Sequence, residues 1–95
     1  DFAIVGVAVL ARKEGNVVKD LRVALTAVSN KGVRADDVEK TLIDREPSED
    51  LINKAANEVL NVVNPVTDIR GTSEYKRKVS VVLTRRALKR ALGVM

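Results

Sequence analysis

The chain has 95 residues, of which 45% are hydrophobic and 32% charged, and its formal net charge is +4. This length suits one small domain, because two separate hydrophobic cores require a longer chain. Cysteine and histidine are both absent, which excludes disulfides, thiol nucleophiles and the usual ligands of zinc, iron–sulfur clusters and haem. The sequence contains no apolar run long enough to cross a membrane, and a cytoplasmic location is expected.

The first third of the chain predicts a β-hairpin over about residues 2–28. Residues 2–10 are rich in β-branched residues and would be apolar on both faces of an extended strand. A strand of this kind needs cover on both faces, and in so small a domain the second cover can come from elsewhere. Gly15 and Asn16 suit the positive φ of a tight turn. Residues 20–27 then alternate between apolar and polar side chains, which indicates a half-buried strand.

A short strand and three helices are predicted after the hairpin. Residues 33–35 favour the strand, and Asp36 with Glu39 has the spacing of a capping box. Ser48 is a candidate N-cap for the second helix, and Pro65 would end that helix. The predicted helices cover about residues 36–43, 48–63 and 73–92.

The last predicted helix has apolar residues on two opposite sides when each residue is rotated by 100°. The two groups are Tyr75, Val79, Val82 and Leu83, and Val81, Leu88, Ala91 and Leu92. One side must pack on the sheet, and the other is a second internal contact or a surface for a partner. We therefore take Val81, Leu88 and Leu92 as a candidate docking patch.

The charge is unevenly distributed along the chain. Residues 1–69 hold nine Lys/Arg and twelve Asp/Glu, a net of −3, whereas residues 70–95 hold eight Lys/Arg and one acid, a net of +7. Such a basic segment is either a solvated helix face or a surface for nucleic acid or another anionic partner. The only two aromatic residues, Phe2 and Tyr75, provide no platform for stacked bases.

The sequence predicts no catalytic residue and no metal ligand. A nucleophile needs an activating base, most often histidine, and none is present. The carboxylate pairs Asp36/Asp37 and Glu49/Asp50 lie at predicted helix starts, where favourable interaction with the helix end explains them. Neither glycine-rich phosphate-binding motif occurs, so no complete cofactor site is expected in this chain.

The segment 68–77 combines several chemically informative residues in a predicted loop-to-helix junction. Asp68 and Arg70 can form a charge-assisted pair, and Gly71 permits a sharp backbone bend. Ser73 can cap the helix, and Tyr75 adds an apolar ring with one polar atom. This arrangement is typical of an ordered structural motif.

Four segments together resemble a known family. They are Asp1-Phe-Ala-Ile-Val5, Val33-Arg-Ala35, Asp68-x-Arg-Gly-x-Ser-x-Tyr-Lys-Arg77 and Leu83-x-x-Arg-Ala-Leu88. In order and spacing they are similar to the C-terminal domain of the FAD-binding medium subunit of molybdenum hydroxylases, the carbon monoxide dehydrogenase and xanthine dehydrogenase family. The resemblance covers nearly the whole chain. Two positions depart from the family pattern: Asp44, where glycine is frequent, and Lys76, where arginine is frequent.

The resemblance implies an α+β fold in which a three- or four-stranded antiparallel sheet packs against three helices. It implies an accessory docking domain that supports electron transfer between [2Fe–2S] clusters and FAD without activity of its own. FAD would be held by earlier domains of the same subunit, with Asp1 at most peripheral to it. The [2Fe–2S] clusters would lie in a small subunit and molybdopterin in a large one. The chain would then be an excised fragment or the product of a split gene.

Two alternatives remain open from the sequence. The first is a free-standing basic module that binds nucleic acid through its last helix. The second is self-association through exposed apolar residues, with a dimer built on the first strand.

Overall fold

The computed structural model describes residues 4–27, 33–62 and 73–94. These residues form an antiparallel sheet and a layer of helices, which confirms the α+β class and the three-stranded, three-helix architecture. The sheet has the order β1-β2-β3, with strands β1 (Ile4–Glu14), β2 (Val17–Ala27) and β3 (Val33–Arg34). The helices are α1 (Asp36–Leu42), α2 (Glu49–Asn57) and α3 (Ser73–Leu92), and a short 3₁₀ helix, Glu58–Asn61, follows α2 directly.

The hairpin turns at the two residues that the sequence indicates. Gly15 has a φ of 61°, and Asn16 is not in the left-handed region. A positive φ at the first turn residue alone fits a type II′ turn, which matches the twist of the flanking strands. The turn sets the pairing of Glu14 with Val17, and the β1–β2 register then shifts twice, between Lys13 and Arg12 and between Gly6 and Ile4.

A β-bulge at Lys19 changes which side of β2 faces the core. Arg12 pairs with Asp20 and Lys13 pairs with Val18, so Lys19 is an extra residue in the ladder. Side chains normally alternate between faces, and the extra residue allows Val18 and Leu21 both to be buried. Beyond the bulge, β2 alternates as predicted, with buried side chains at Leu21, Val23 and Leu25.

The helices cover one face of the sheet. α3 packs against β1, α1 packs against β2, and α2 contacts both of these helices. Val7 and Val9 of β1 are partly buried against the core that forms in between. The buried apolar residues of this core are Val18, Leu21, Val23, Leu25, Ala35, Val38, Leu42, Ile52, Ala55, Ala56, Val59, Leu88 and Leu92.

The predicted docking patch on α3 is wrong for Leu88 and Leu92, which are 0% and 1% exposed and belong to the core. Four buried side chains of α3, spaced four residues apart, form what is called here its buried line: Ser80, Thr84, Leu88 and Leu92. Two of its members are polar, so the line does not show as an apolar stripe. The Thr84 hydroxyl donates to the Ser80 carbonyl over 2.8 Å, which removes the cost of burying it. Val81 is half-buried beside this line.

The C-terminal end of α3 is tied to the hairpin. Gly93 has a φ of 71°, and the Val94 amide donates to the Lys89 carbonyl over 3.0 Å, which forms a Schellman motif. The Lys13 ammonium donates to the Leu92 carbonyl over 2.9 Å. A cation at the negative end of the helix dipole is stabilising. This contact fixes the hairpin tip against α3.

α2 begins as the sequence predicts. The Ser48 hydroxyl accepts a hydrogen bond from the Leu51 amide over 3.1 Å, which confirms Ser48 as the N-cap. The helix tightens into the 3₁₀ turn after Asn57, where the sequence predicts α-helix as far as about residue 63.

Glu39 is a buried carboxylate that connects α1 to the sheet. Its side chain, only 9% exposed, accepts the Val23 amide over 2.9 Å and two donors of Arg34 at 2.8 and 2.9 Å. The capping-box prediction is therefore wrong for Glu39. α1 has Ala35 as its N-cap residue, whose methyl side chain cannot accept a hydrogen bond, and the Glu39 carboxylate binds Val23 of β2 and Arg34 of β3.

The pKa of Glu39 reflects these contacts. Burial alone would raise it, but the hydrogen bonds from Arg34 and Val23 and the positive charges of Arg34 and Arg22 outweigh burial, so the pKa lies below its ordinary value of 4.5. The same pair raises the pKa of Arg34. A carboxyl group with a lowered pKa stabilises the fold above its unfolded pKa, and this contribution is lost as the pH falls through the folded value.

The turn after α1 accommodates an unusual backbone conformation. Asp44 has a φ of 63°, which makes it the one non-glycine residue with positive φ in the described parts of the chain. Its amide donates to the Val18 carbonyl over 2.7 Å, and its carboxylate accepts from Lys19 at 3.2 Å. The turn that is often glycine in the resembling family thus keeps a glycine-like conformation with aspartate in place.

We predict that Glu39→Gln lowers the free energy of unfolding at pH 7 by about 1–2 kcal/mol, because charge-assisted hydrogen bonds are weakened while Arg34 is still partly screened by water. The measurement is urea unfolding followed by circular dichroism across a pH series. The difference from the unchanged chain should hold down to about pH 4.5 and shrink at lower pH. Glu46→Gln, at an exposed position, is the control and should change stability by less than about 0.5 kcal/mol. A difference independent of pH would contradict the assignment.

We predict that Asp44→Gly stabilises the chain by about 0.5–1 kcal/mol, because glycine adopts positive φ without a Cβ clash. The exposed Lys19–Asp44 pair contributes little against this gain. Asp44→Val should destabilise the chain by about 1–2 kcal/mol, because a β-branched residue is strained there. Thermal unfolding of the two variants checks the prediction, and equal stability of both would show that the φ of Asp44 is not the controlling factor.

Candidate functional site

The carboxylate pairs named from the sequence occupy the first turns of helices. Asp36 and Asp37 lie in α1, and Glu49 and Asp50 lie in α2. The Asp37 carboxylate accepts a hydrogen bond from the Asn61 amide group over 2.9 Å, which ties α1 to the 3₁₀ helix. Among the described residues, no group of three or more acidic side chains is placed to hold a metal ion. These carboxylates are explained by local structure.

Two described carboxyl groups have lowered pKa values, and each forms an ion pair with an arginine side chain. The pKa of Glu14 is lowered by the hydrogen bond from Arg12 and by its charge, and the pKa of Glu39 is lowered as described above. General acid–base catalysis needs a group whose pKa lies near the working pH. The pKa values of both carboxyl groups are shifted away from neutrality. Glu39 connects α1 to the sheet, whereas Glu14 forms an exposed pair within β1.

Part of the segment singled out from the sequence lies outside the described residues. Asp68, Arg70 and Gly71 are in the range 63–72, and Asp1 lies in the range 1–3. Ser73 is the first residue of α3, and Tyr75 is 62% exposed in its first turn. The motif predicted from these residues stays a prediction.

A cleft of about 480 Å³ lies between the hairpin tip, the segment before α2 and the C-terminal end of α3. It does not suit the pyrophosphate of a dinucleotide such as FAD. Two helix ends border it, the C-terminal end of α3, which carries a partial negative charge, and the N-terminal end of α2. At the α2 end, where phosphates bind in other proteins, Ser48 already accepts the Leu51 amide and the first turn carries the acidic side chains Glu49 and Asp50, which repel a phosphate. Its lysine, Lys13, already donates to the Leu92 carbonyl. We therefore derive no flavin chemistry from this cleft.

A second open region is the face of the sheet that the helices do not cover, called here the outer sheet face and formed by Ala8, Leu10, Arg22, Ala24 and Arg34. Leu10 is 70% exposed. The five side chains border a shallow depression of about 380 Å³. The apolar pattern on both sides of β1 indicates this surface in the sequence, because the helices bury only the side that carries Val7 and Val9.

A third open region is a groove of about 370 Å³ between the 3₁₀ helix and the first half of α3. Leu60, which is 39% exposed, lies on one side, and Val81 and Val82 lie on the other. Arg77 and Lys78 border it. The sequence analysis did not find this groove, since it depends on the packing of two elements whose connection is long.

The basic residues of α3 are distributed around its exposed surface. Lys78 pairs with Glu74 at 3.6 Å and Lys89 approaches Glu49 at 4.0 Å. Arg86 and Arg90 are exposed. They are four residues apart and therefore share one side of the helix. None of the described helices is long and apolar enough to cross a membrane.

Comparison with known proteins identifies the family. Residues 1–91 match the family described as the CO dehydrogenase flavoprotein C-terminal domain. The chain is 38% identical over 89 residues to the glyceraldehyde dehydrogenase medium chain of Sulfolobus acidocaldarius, an alignment that covers 94% of this chain and 32% of that protein. It is 32% identical over 91 residues to the carbon monoxide dehydrogenase medium chain of Hydrogenophaga pseudoflava, covering 96% of this chain and 32% of that protein.

A solved structure agrees with the sequence matches. Carbon monoxide dehydrogenase from Hydrogenophaga pseudoflava, in a form that lacks the Mo-pyranopterin moiety of its molybdenum cofactor, superposes with a TM-score of 0.82 at 31% identity. The superposition covers 93% of this chain and 31% of that chain. The chain thus spans about a third of the length of the relatives it matches. On sequence and structure together, the chain belongs to the CO dehydrogenase flavoprotein C-terminal domain family.

Proposed function

We propose that this chain is the accessory docking domain of the medium subunit of a molybdenum hydroxylase. The observation that carries the proposal is the family match over residues 1–91. According to their names, the two relatives described above are medium chains of dehydrogenases with different substrates. We therefore assign the choice of substrate to other parts of the enzyme. The proposal includes FAD in the rest of the medium subunit, [2Fe–2S] clusters and molybdopterin in partner subunits, and a cytoplasmic location.

The role of the domain in this proposal is positional. Electron transfer between iron–sulfur clusters and flavin requires the subunits to keep a fixed arrangement, and a rigid domain contributes to that arrangement. The described residues support rigidity at two places. Glu39 connects α1 to β2 and β3, and Lys13 connects the hairpin tip to the end of α3.

We predict that FAD copurifies with the full-length medium chain, whereas the 95-residue chain does not bind it. The measurement is a titration of FAD with the 95-residue chain, followed by flavin fluorescence, beside the flavin content of the purified medium chain. The 95-residue chain should leave the fluorescence unchanged at micromolar concentrations. Tight stoichiometric binding of FAD by the 95-residue chain would contradict the proposal. A full-length polypeptide without flavin would contradict it as well.

Nucleic-acid binding is a second candidate function, favoured by the exposed side chains of Arg86 and Arg90 on one side of α3. We expect only weak binding that disappears as salt is added, since charge alone gives non-specific affinity. Fluorescence anisotropy with labelled single- and double-stranded oligonucleotides across a salt series measures it. The variant Arg86→Gln/Arg90→Gln should lose most of the residual low-salt binding. Nanomolar affinity at physiological salt would place this candidate above the docking domain.

A further inference from the structure

The outer sheet face combines an exposed apolar side chain with small neighbours. Leu10 is 70% exposed at the middle of β1. Ala8 pairs with Ala24 on the adjacent strand, and Gly6 pairs with Thr26 two positions further along. Small side chains at adjacent positions let another polypeptide approach the backbone closely, while Leu10 projects beyond them. This arrangement is suited to receive a complementary surface with a recess for one leucine.

The outer sheet face carries the guanidinium groups of Arg22 and Arg34, and the Asp20 carboxylate borders it beside Leu10 and Arg22. Arg22 lies directly across from Leu10 in the ladder. Its side chain is exposed, and it forms no ion pair with any residue in the described ranges. Arg34, at the far edge of the depression, is bound to Glu39 but keeps a side chain that is 56% exposed. A surface that covers this face therefore needs apolar side chains over Leu10 and a carboxylate opposite Arg22.

The position of β1 indicates where a covering polypeptide would come from. β1 is at the edge of the described sheet, because the strand order is β1-β2-β3. The relatives are about three times as long as this chain, and the family is by description a C-terminal domain. In a medium chain, the remaining polypeptide would therefore join this domain at the start of β1. Leu10 is six residues along β1 from Ile4, roughly 20 Å in an extended strand, which is within reach of a domain attached there.

We propose that the outer sheet face is the interface with the preceding part of the same medium chain, which contacts Leu10 with apolar side chains and Arg22 with a carboxylate. This inference rests on the proposed function and deepens it by naming the surface and its occupant. The apolar contact is thus assigned to the sheet, whereas the sequence predicted it on α3. A second copy of the chain or a partner subunit would be a different occupant.

The absence of cysteine makes a direct test possible. Leu10→Cys introduces a single thiol into this domain, and Arg86→Cys provides a matched thiol on the exposed side of α3. Both variants are made in the full-length medium chain, produced without partner subunits and shown to be monomeric by light scattering. A maleimide reagent labels the native and the urea-unfolded protein, and the peptide containing the new thiol is quantified by mass spectrometry.

We predict that labelling at Leu10→Cys is slowed at least about tenfold in the native monomer relative to the unfolded protein, whereas Arg86→Cys is labelled at a rate close to the unfolded one. Equal rates at the two sites would overturn the inference. Protection of Leu10→Cys that arises only in a dimer, or only after partner subunits are added, would overturn it too, because the occupant would then be different. The flavin content of the same preparation reports on the proposed function separately, so either claim can fail without the other.

A charge reversal at Arg22 tests whether a carboxylate lies opposite this side chain. In the Leu10→Cys background, Arg22→Glu should raise the labelling rate severalfold, because it opposes the proposed carboxylate, and Arg22→Gln should have a smaller effect. Arg86→Glu in the same background is the control and should leave the rate unchanged. Circular dichroism checks that each variant remains folded. An unchanged rate for a folded Arg22→Glu variant would remove Arg22 from the interface.

Discussion

The Glu39 carboxylate is the contact on which the arrangement of the sheet and the first helix depends. β3 has only two residues, so it cannot complete the ladder along β2. The Ala35 amide donates to the Val23 carbonyl, and the Val23 amide donates to Glu39. A side chain of α1 thus accepts the hydrogen bond that a longer strand would have taken. An unpaired amide in this buried position would cost more than the bond itself gains, which makes Glu39 difficult to replace.

The same edge of β2 is closed further along by the turn after α1. Val18 exchanges backbone hydrogen bonds with Asp44 and Arg45, and the positive φ of Asp44 allows this approach. The side of β2 away from β1 is therefore occupied by β3, by Glu39 and by this turn. In the described structure, no element pairs with the free edge of β1. Among the described residues, the open parts of the sheet are its β1 edge and its outer face.

Local rules predicted the parts of the fold that depend on neighbours in the sequence. Gly15 placed the hairpin turn and Ser48 placed the start of α2, because each satisfies a backbone requirement within a few residues. The role of Glu39 could not be predicted in this way, since Val23 is sixteen residues away and the same spacing from Asp36 suggested a cap. The docking patch failed for a related reason. Ser80 and Thr84 lie on the buried line of α3, so half of this stripe is polar and the pattern of apolar residues in the sequence does not reveal it.

An exposed leucine is not in itself evidence of an interface, because folded proteins commonly expose apolar atoms. Leu10 supports an interface because several independent features occur together around it. Its neighbours are small, its cross-strand partner Arg22 has no ion pair in the described structure, and its strand is at the sheet edge. The helices already cover the opposite face, so no described element remains to bury Leu10. A polypeptide attached at the start of β1 would be tethered to the domain, which lowers the entropic cost of covering this face.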